Sequence, residues 1–595
     1  MIKPKADILF ELSWEVCNKV GGIYTVVKSK AALTKENYKD YFLIGPYFEE
    51  KAKLDLEEKK PPPEIRSAFD KLEKSGIRCH FGRWQIKGEP KAILVESGSL
   101  VPKKDELKRY YWDNFKIDSI KSGWDFEEPL LWSVAAGMLL EELARQYKGK
   151  RIVANFHEWM AGLCLLYLKQ EKARVATVFT THATMLGRSV AGSGQDLYSI
   201  LPNISPEQEA YKSGIQDKFL TERACAKNAE VFTTVSEITA IEAEKILGKK
   251  PDVLVLNGLD IGKFPTVEEI SVKHVTCRDK IREFLTFHFF PYYTFDLKHT
   301  MLMFIVGRYE YKNKGIELFI KALGRLNQQL KKEKTDRTLA VFFWIPQQTK
   351  GIRMDVLENK NYYRHIKNYV AFNSENILSH IVSDIVSQGD ISKGHLFTKE
   401  FLQTIKKDIL HFKRKGNAPL LTHNIDDESN DQIMKGFIEN GLYNGSEDKV
   451  KVILNPVYLD GSDGLINLSY YDAMAACHLG IFPSYYEPWG YTPLEAAALG
   501  VPSLTSDQAG FGRFISDKIG NNMDDGIFVL KMLNQKEGEV TKRFAKLLSN
   551  FLRRDKHMRA KNKLNAKELS SLADWKFLIE NYFKAHNLAL QRLKP

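Results

Sequence analysis

Two carboxylates eight positions apart, Glu487 and Glu495, stand out as candidates for chemistry in the run IFPSYYEPWGYTPLEAAALG at 481–500. A short apolar strand at 479–482 breaks at Pro483, and a loop dense in aromatics, Gly and Pro follows at 485–491. Thr492 reads as a helix N-cap, Pro493 as the first helical position and Glu495 as the end of a T-x-x-E capping box. The Ala-rich run then stops at Gly500-Val501-Pro502. A helix start favours a phosphate, and the carboxyl ends of strands are where open α/β sheets bind ligands. Read alone, Glu495 is a capping residue and the aromatics are loop packing. Glu487, fixed between Tyr486 and Pro488, has no cap or turn to make.

Comparable positions recur along the chain. Gly21 and Gly22 open a helical stretch that runs through Ala32, where a ligand could approach the backbone; a plain turn explains the pair equally well. His157 and His182 end two apolar strands, and Arg188 follows His182 by six residues. The bland alternative for His157 is a satisfied core histidine. Arg308 and Lys314 lie in GRYEYKNKG, before another helix, as a planar fork and a compact charge suited to a pyrophosphate; by itself the loop is ordinary basic surface. Tyr458 and Tyr470 offer faces for a base or for the core. The histidines lack a partner at helical spacing and a nearby carboxylate pair, so no metal site is expected.

The elements that would position these residues alternate strand and helix. Strands are expected at 6–12, 41–45, 92–96, 151–156, 175–181, 230–235 and 252–257, with an amphipathic helix at 130–146. A second α/β unit begins near Lys298, with strands at 301–306, 339–345 and 450–454. The charged segment 49–74, which includes Pro61-Pro62-Pro63, reads as a surface excursion, and 354–441 as a helical insertion too long for a loop. The fold class is α/β, with two doubly wound units. A chain of 595 residues needs more than one core. Six scattered cysteines without a C-x-x-C pair fit a reducing compartment, and no leader or membrane-spanning run is seen. The net charge of +12 is not gathered into a nucleic-acid-binding module, so neither nucleic acid nor membrane is expected as a partner.

In order, the motifs KVGG, NFHEWMAG, TTHATMLGR, FTTVSEITAIEA, GRYEYKNKG and FPSYYEPWGYTP resemble the animal and fungal glycogen synthases, retaining GT-B glycosyltransferases. The resemblance implies two Rossmann-like domains, 1–265 and 298–573, facing across a cleft. A connecting segment would occupy 266–297, an oligomerisation insertion 354–441, and a C-terminal helix returning to the first domain 574–595. It implies transfer of glucose from UDP-glucose to the non-reducing 4-hydroxyl of an α-1,4-glucan, with no metal or cofactor. Catalytic roles would fall to Glu487, Arg308, Lys314 and His182. Donor contacts would add Lys19, Gly21, Gly22, His157, Arg188, Tyr458, Tyr470, Trp489, Gly490, Tyr491, Thr492 and Glu495.

A glucose-6-phosphate site would use His274, Arg278, His478, Arg559 and Lys563, although Glu268, Ser271, His557 and Asn565 depart from the family pattern there. That basic helix reads equally as a solvated face. Without serine-rich tails around the end at Pro595, simple regulation is expected. A cytoplasmic homotetramer, with a glycogenin-like primer protein as a partner, is implied by analogy. The donor motifs leave open another acceptor, ADP-glucose as donor, or an idle glucan-bound scaffold; intact Lys19, Arg308, Lys314 and Glu487 oppose the last.

Overall fold

The computed structural model describes residues 2–333, 335–388, 397, 399–519 and 525–593. Its first unit is built on a nine-stranded sheet, ordered Leu56–Glu58, Cys79–Trp84, Lys91–Val95, Asp40–Pro46, Ile8–Leu12, Ile152–His157, Ala176–Thr181, Val231–Thr234 and Val253–Leu254. The first two strands pair antiparallel at one edge, and the rest run parallel. Strand order reverses beside Ile8–Leu12, which places the loops after Leu12 and His157 at the switch point, where ligands bind in such sheets. Ile8–Leu12 is buried at every position, as a central parallel strand must be, so Glu11 lies within the core.

The second unit has a six-stranded parallel sheet, ordered Val450–Asn455, Thr338–Trp344, Thr300–Val306, Leu479–Ile481, Ser503–Ser506 and Ile527–Leu530. Its switch point lies between Thr300–Val306 and Leu479–Ile481, so Gly307-Arg308 and the loop leading to Glu487 leave the same end of adjacent strands. Helix Val267–Phe289 opens with a Thr266/Glu269 capping box and buries Ile281, Phe284 and Leu285 against this unit. One apolar cluster joins the units, with Trp489, Leu494 and Phe511 packed among Trp84, Val255 and Trp575. The final helix, Trp575–Arg592, lies on the first unit, where the Trp575 indole donates to Ser29 and Tyr38 meets His586.

Several expectations need correction. Segment 49–74 adds the edge strand Leu56–Glu58 and helix Pro63–Glu73, whose Ile65, Ala68 and Leu72 are buried. The helix after Gly21 continues to Asn37. The expected insertion is helical over Met354–Phe372, Ser374–Gln388 and Lys399–Phe412; 389–396 and 398 lie outside the described residues. The chain rejoins the body before residue 441, where helix Gln432–Glu439 buries Ile433 and Phe437 in the core. The helix after Glu487 spans Tyr491–Ala498 and is capped by Gly490 without a side-chain bond, so Thr492 is not its N-cap. Gly490 has φ +106°, which costs a glycine little, and this starts the helix ahead of the T-x-x-E signature.

Candidate active site

In the second unit, Lys314 Nζ donates to Glu487 Oε2 at 2.5 Å. Two close approaches bring them together. Gly315 has φ +67°, and a Cβ there would meet the Pro483 carbonyl oxygen at 2.0 Å; the Tyr485 amide donates to the Asn313 carbonyl at 2.8 Å. A cavity of about 190 Å³ opens over this pair, lined also by Gly307, Arg308, Ser484 and Thr492. Arg308 is 78 % exposed and pairs with Glu310 at 2.8 Å. A second cavity of about 330 Å³ shares Gly307, Arg308 and Thr492 and extends past Trp344 and Pro346 to Tyr458 and Tyr470. Small-molecule sites characteristically combine such an apolar end with a few convergent polar groups.

On the first unit's wall, Glu11 accepts from His157 Nε2 at 2.6 Å and pairs with Lys30. His157 Nε2 also lies 2.9 Å from Asn155 Nδ2, and its Nδ1 meets His182 Nε2 at 2.9 Å. Burial holds both histidines below their ordinary pKa, while Lys30 and His157 together hold the Glu11 carboxyl low against its own burial. The chain after His182 is gripped by three buried glutamates. Glu158 accepts from the amides of His182 at 2.9 Å and Ala183 at 3.3 Å, Glu242 from Thr184 at 3.0 Å, and Glu222 from Met185 at 2.9 Å. Glu158 adopts φ +64°, rare for a residue with a side chain. Burial pushes Glu158 and Glu242 up to about 7, and Glu222 well above the usual carboxylate range. Arg188, exposed beside them, feels Glu158, Tyr486, Glu222 and Glu242.

The glycogen synthase family model matches residues 11–595. The chain belongs to the glycogen synthase family. It is 36% identical over 591 residues to the liver glycogen [starch] synthase of Homo sapiens, covering 99% of this chain and 84% of that one. It is 36% identical over 613 residues to glycogen [starch] synthase isoform 2 of Saccharomyces cerevisiae, covering 99% and 87%. The chain has the GT-B architecture, with two doubly wound units. Among solved structures, the catalytic domain of starch synthase IV from Arabidopsis thaliana, bound to ADP and acarbose, is similar at 14% identity and TM-score 0.49, covering 98% of this chain and 99% of that one.

The residues expected to contact a donor are distributed unevenly in the synthase. Arg308, Lys314, Glu487, Thr492, Tyr458 and Tyr470 line the two joined cavities. Tyr458 is exposed, whereas the Tyr470 hydroxyl donates to Glu495 at 3.0 Å, as does that of Tyr471, so Glu495 holds two tyrosines and closes no capping box. Trp489 is packed against Phe511 and Phe514 and, like Tyr491, lines neither cavity. Gly490 supplies the turn that supports Glu487: a Cβ there would come within 3.3 Å of the Glu487 Cγ. His157 is enclosed and bonds His182, and neither histidine lines the two cavities. The helix after Gly21 already has an anion at its start, because Glu15 accepts from the Gly21 amide at 2.7 Å and the Tyr24 amide at 2.8 Å. Lys19, Gly21 and Gly22 are exposed beside it.

Elsewhere the fold gathers basic groups. Lys563 Nζ and His274 Nδ1 are 2.8 Å apart, and Arg278 bonds the Ala476 carbonyl at 3.0 Å with its Nη2 buried and without a hydrogen-bond partner among the described residues. His478 Nδ1 accepts from the Leu302 amide at 2.9 Å, and Arg559 donates to the Arg554 carbonyl at 2.7 Å. Burial, then Arg278 and Arg559, pushes Lys563 down to about 7. Sequence reading missed Glu11, Glu158, Glu222 and Glu242. A carboxylate inside the apolar strand ILFEL and one directly after His157 were the available signals. Among the described residues, no group of three or more His, Cys, Asp or Glu could hold a metal ion. Nor is any helix there long and apolar enough to cross a membrane.

Proposed function

We propose that this synthase transfers glucose from UDP-glucose to the non-reducing 4-hydroxyl of an α-1,4-glucan, with retention, using neither metal nor cofactor, in the cytoplasm. The observation that carries the reading is the Lys314–Glu487 contact beneath Arg308, at the switch point of the second sheet, in a member of this family. The uracil would enter the cavity beside Tyr458 and Tyr470. The diphosphate would meet Arg308, Lys314 and the start of helix Tyr491–Ala498, all preorganised for negative charge.

As the bond from the anomeric carbon to the phosphate oxygen breaks, its electron pair leaves with UDP and positive charge builds on the sugar. Glu487 stabilises that charge or holds sugar hydroxyls, and His182 and Arg188 face the sugar from the other unit. The glucan hydroxyl attacks from the face the diphosphate leaves and passes its proton to the departing phosphate oxygen. A double-displacement route on the pattern of retaining hydrolases needs two carboxylates about 5 Å apart flanking the bond. Glu495 is engaged by Tyr470 and Tyr471, which supports the front-face route.

His274, Arg278, His478, Arg559 and Lys563 would hold the phosphate of glucose-6-phosphate, a reading supported by an Arg278 Nη2 that has no hydrogen-bond partner among the described residues. Exposed Phe372, Val386 and Leu410 on the insertion helices support a homotetramer, and a glycogenin-like protein is the natural primer partner. The test is incorporation of labelled glucose into glycogen from UDP-glucose and from ADP-glucose, with and without glucose-6-phosphate. UDP-glucose is expected to serve and the sugar phosphate to raise the rate. No incorporation from either donor, with folded protein and a good primer, rejects the reading.

A further inference from the structure

Helix Glu237–Leu247, from the FTTVSEITAIEA motif, forms a seam between the units. Glu237 pairs with Arg513 at 2.7 Å, and Thr239 Oγ1 lies 3.5 Å from the Pro488 carbonyl. Glu242 Oε1 accepts from the Tyr486 hydroxyl at 3.0 Å. At the start of the helix, a Cβ on Gly510 would meet the Ser236 side chain at 2.6 Å, so the second unit's backbone lies directly on it.

Glu242 differs from its neighbours on the seam because one oxygen serves both units. Oε1 also accepts from the Thr184 amide at 3.0 Å and the Thr184 hydroxyl at 2.5 Å. The side chain is fully enclosed, and the start of helix Met185–Gly192 passes so close that a Cβ on Gly187 would lie 2.2 Å from Oε1. A buried carboxylate needs its donors. Here they come from the loop bearing His182 on one side and from the residue before Glu487 on the other. Tyr486 is itself buried beside Tyr198, and its backbone is tied to Pro488, so a shift of its hydroxyl carries Glu487 with it.

We infer that Glu242 is a positioning residue: through the Tyr486 hydroxyl it holds the His182–Arg188 segment, the turn and first helical residues at the start of helix Met185–Gly192, and Glu487 in register across the cleft, and the transfer geometry is complete only while that bond is made. The inference rests on the transferase reading. The cavities assigned to the donor are lined by second-unit residues alone, whereas His182 and Arg188 come from the first unit. Loss of the bond therefore weakens turnover and leaves nucleotide binding intact.

Tyr486→Phe removes the hydroxyl and keeps the buried ring. It is expected to lower kcat about tenfold, as misplacement of a reacting group does. The Kd for UDP should change less than twofold. Glu242→Gln, which keeps an acceptor oxygen, should retain much more activity than Glu242→Leu. With UDP bound, scattering should give Tyr486→Phe a radius of gyration larger by on the order of 1 Å, as the units open. An active wild type with unchanged kcat in Tyr486→Phe overturns the inference and leaves the function standing, as does an equal loss of UDP affinity. A wild type inactive with either donor rejects the transferase reading. Scattering then decides alone, and an unchanged radius overturns the inference.

Discussion

On the second unit's wall the charges keep access to solvent: Arg308 is 78 % exposed, and Lys314 and Glu487, paired with each other, keep 20 % and 23 % of their side chains accessible. On the facing wall Glu11, Lys30, His157, Glu158, Glu222 and Glu242 are all enclosed and paired within the protein. The contrast separates two uses of charge. A group that must meet a visiting anion stays hydrated until the anion arrives, because burying it unpaired would cost several kcal/mol. A group that only fixes geometry can be buried once its partners are permanent, and low dielectric then stiffens the network.

The comparison breaks most visibly at the Glu11–Lys30 pair. Glu11→Leu is expected to destabilise the protein by about 3–5 kcal/mol, since Lys30 is left buried and unpaired and His157 and Tyr41 lose the same acceptor, whereas Glu11→Leu with Lys30→Met should recover the part due to Lys30. Chemical unfolding of the three proteins decides it, and additive losses would show that the pair is not the source. On the open wall, Arg308→Ala should cut kcat by about 10²–10³ and move the melting temperature little, the reverse pattern. Assay and melting of the same preparation check both halves.

A smaller effect concerns pH. Lys563 falls from 10.5 to about 7 on folding, so the unfolded chain holds the extra proton between those values and stability rises with pH across that window. Glu242 rises from 4.5 to about 7, so its contribution falls as pH climbs through that lower window. Glucose-6-phosphate, by keeping Lys563 charged, should flatten the upper slope, and so should Lys563→Met. Identical melting slopes with and without the sugar phosphate would argue against the pocket. Least affected is Thr492→Ala: with no cap to lose, urea unfolding should shift by less than about 0.5 kcal/mol, against about 1 for a true N-cap.

What could be read in the sequence follows the range of the interaction. The apolar strands, Lys314 and Glu487 were legible because each strand announces itself and the second-unit site sits at two strand ends joined by short loops. The grip on the His182–Arg188 segment was not, because Glu158, Glu222 and Glu242 come from three helices, and Glu222 and Glu242 look individually like surface acids. The capping box misled for a related reason. Its signature is local, but Glu495 is claimed by Tyr470 and Tyr471 from another helix, and Gly490 starts the helix early. Leu56, hidden among charges at 49–60, gave no sign of an edge strand.

The return of helix Trp575–Arg592 to the first unit bears on how the chain is made. Trp575, Tyr582 and Ala589 cover a sheet whose last strand, Val253–Leu254, leaves the ribosome roughly three hundred residues earlier, while domains otherwise fold as they emerge. Until then that face stays bare and sticky. The amino-terminal half must be kept from its neighbours throughout synthesis, and a nascent chain interrupted before residue 575 is a natural client for a chaperone.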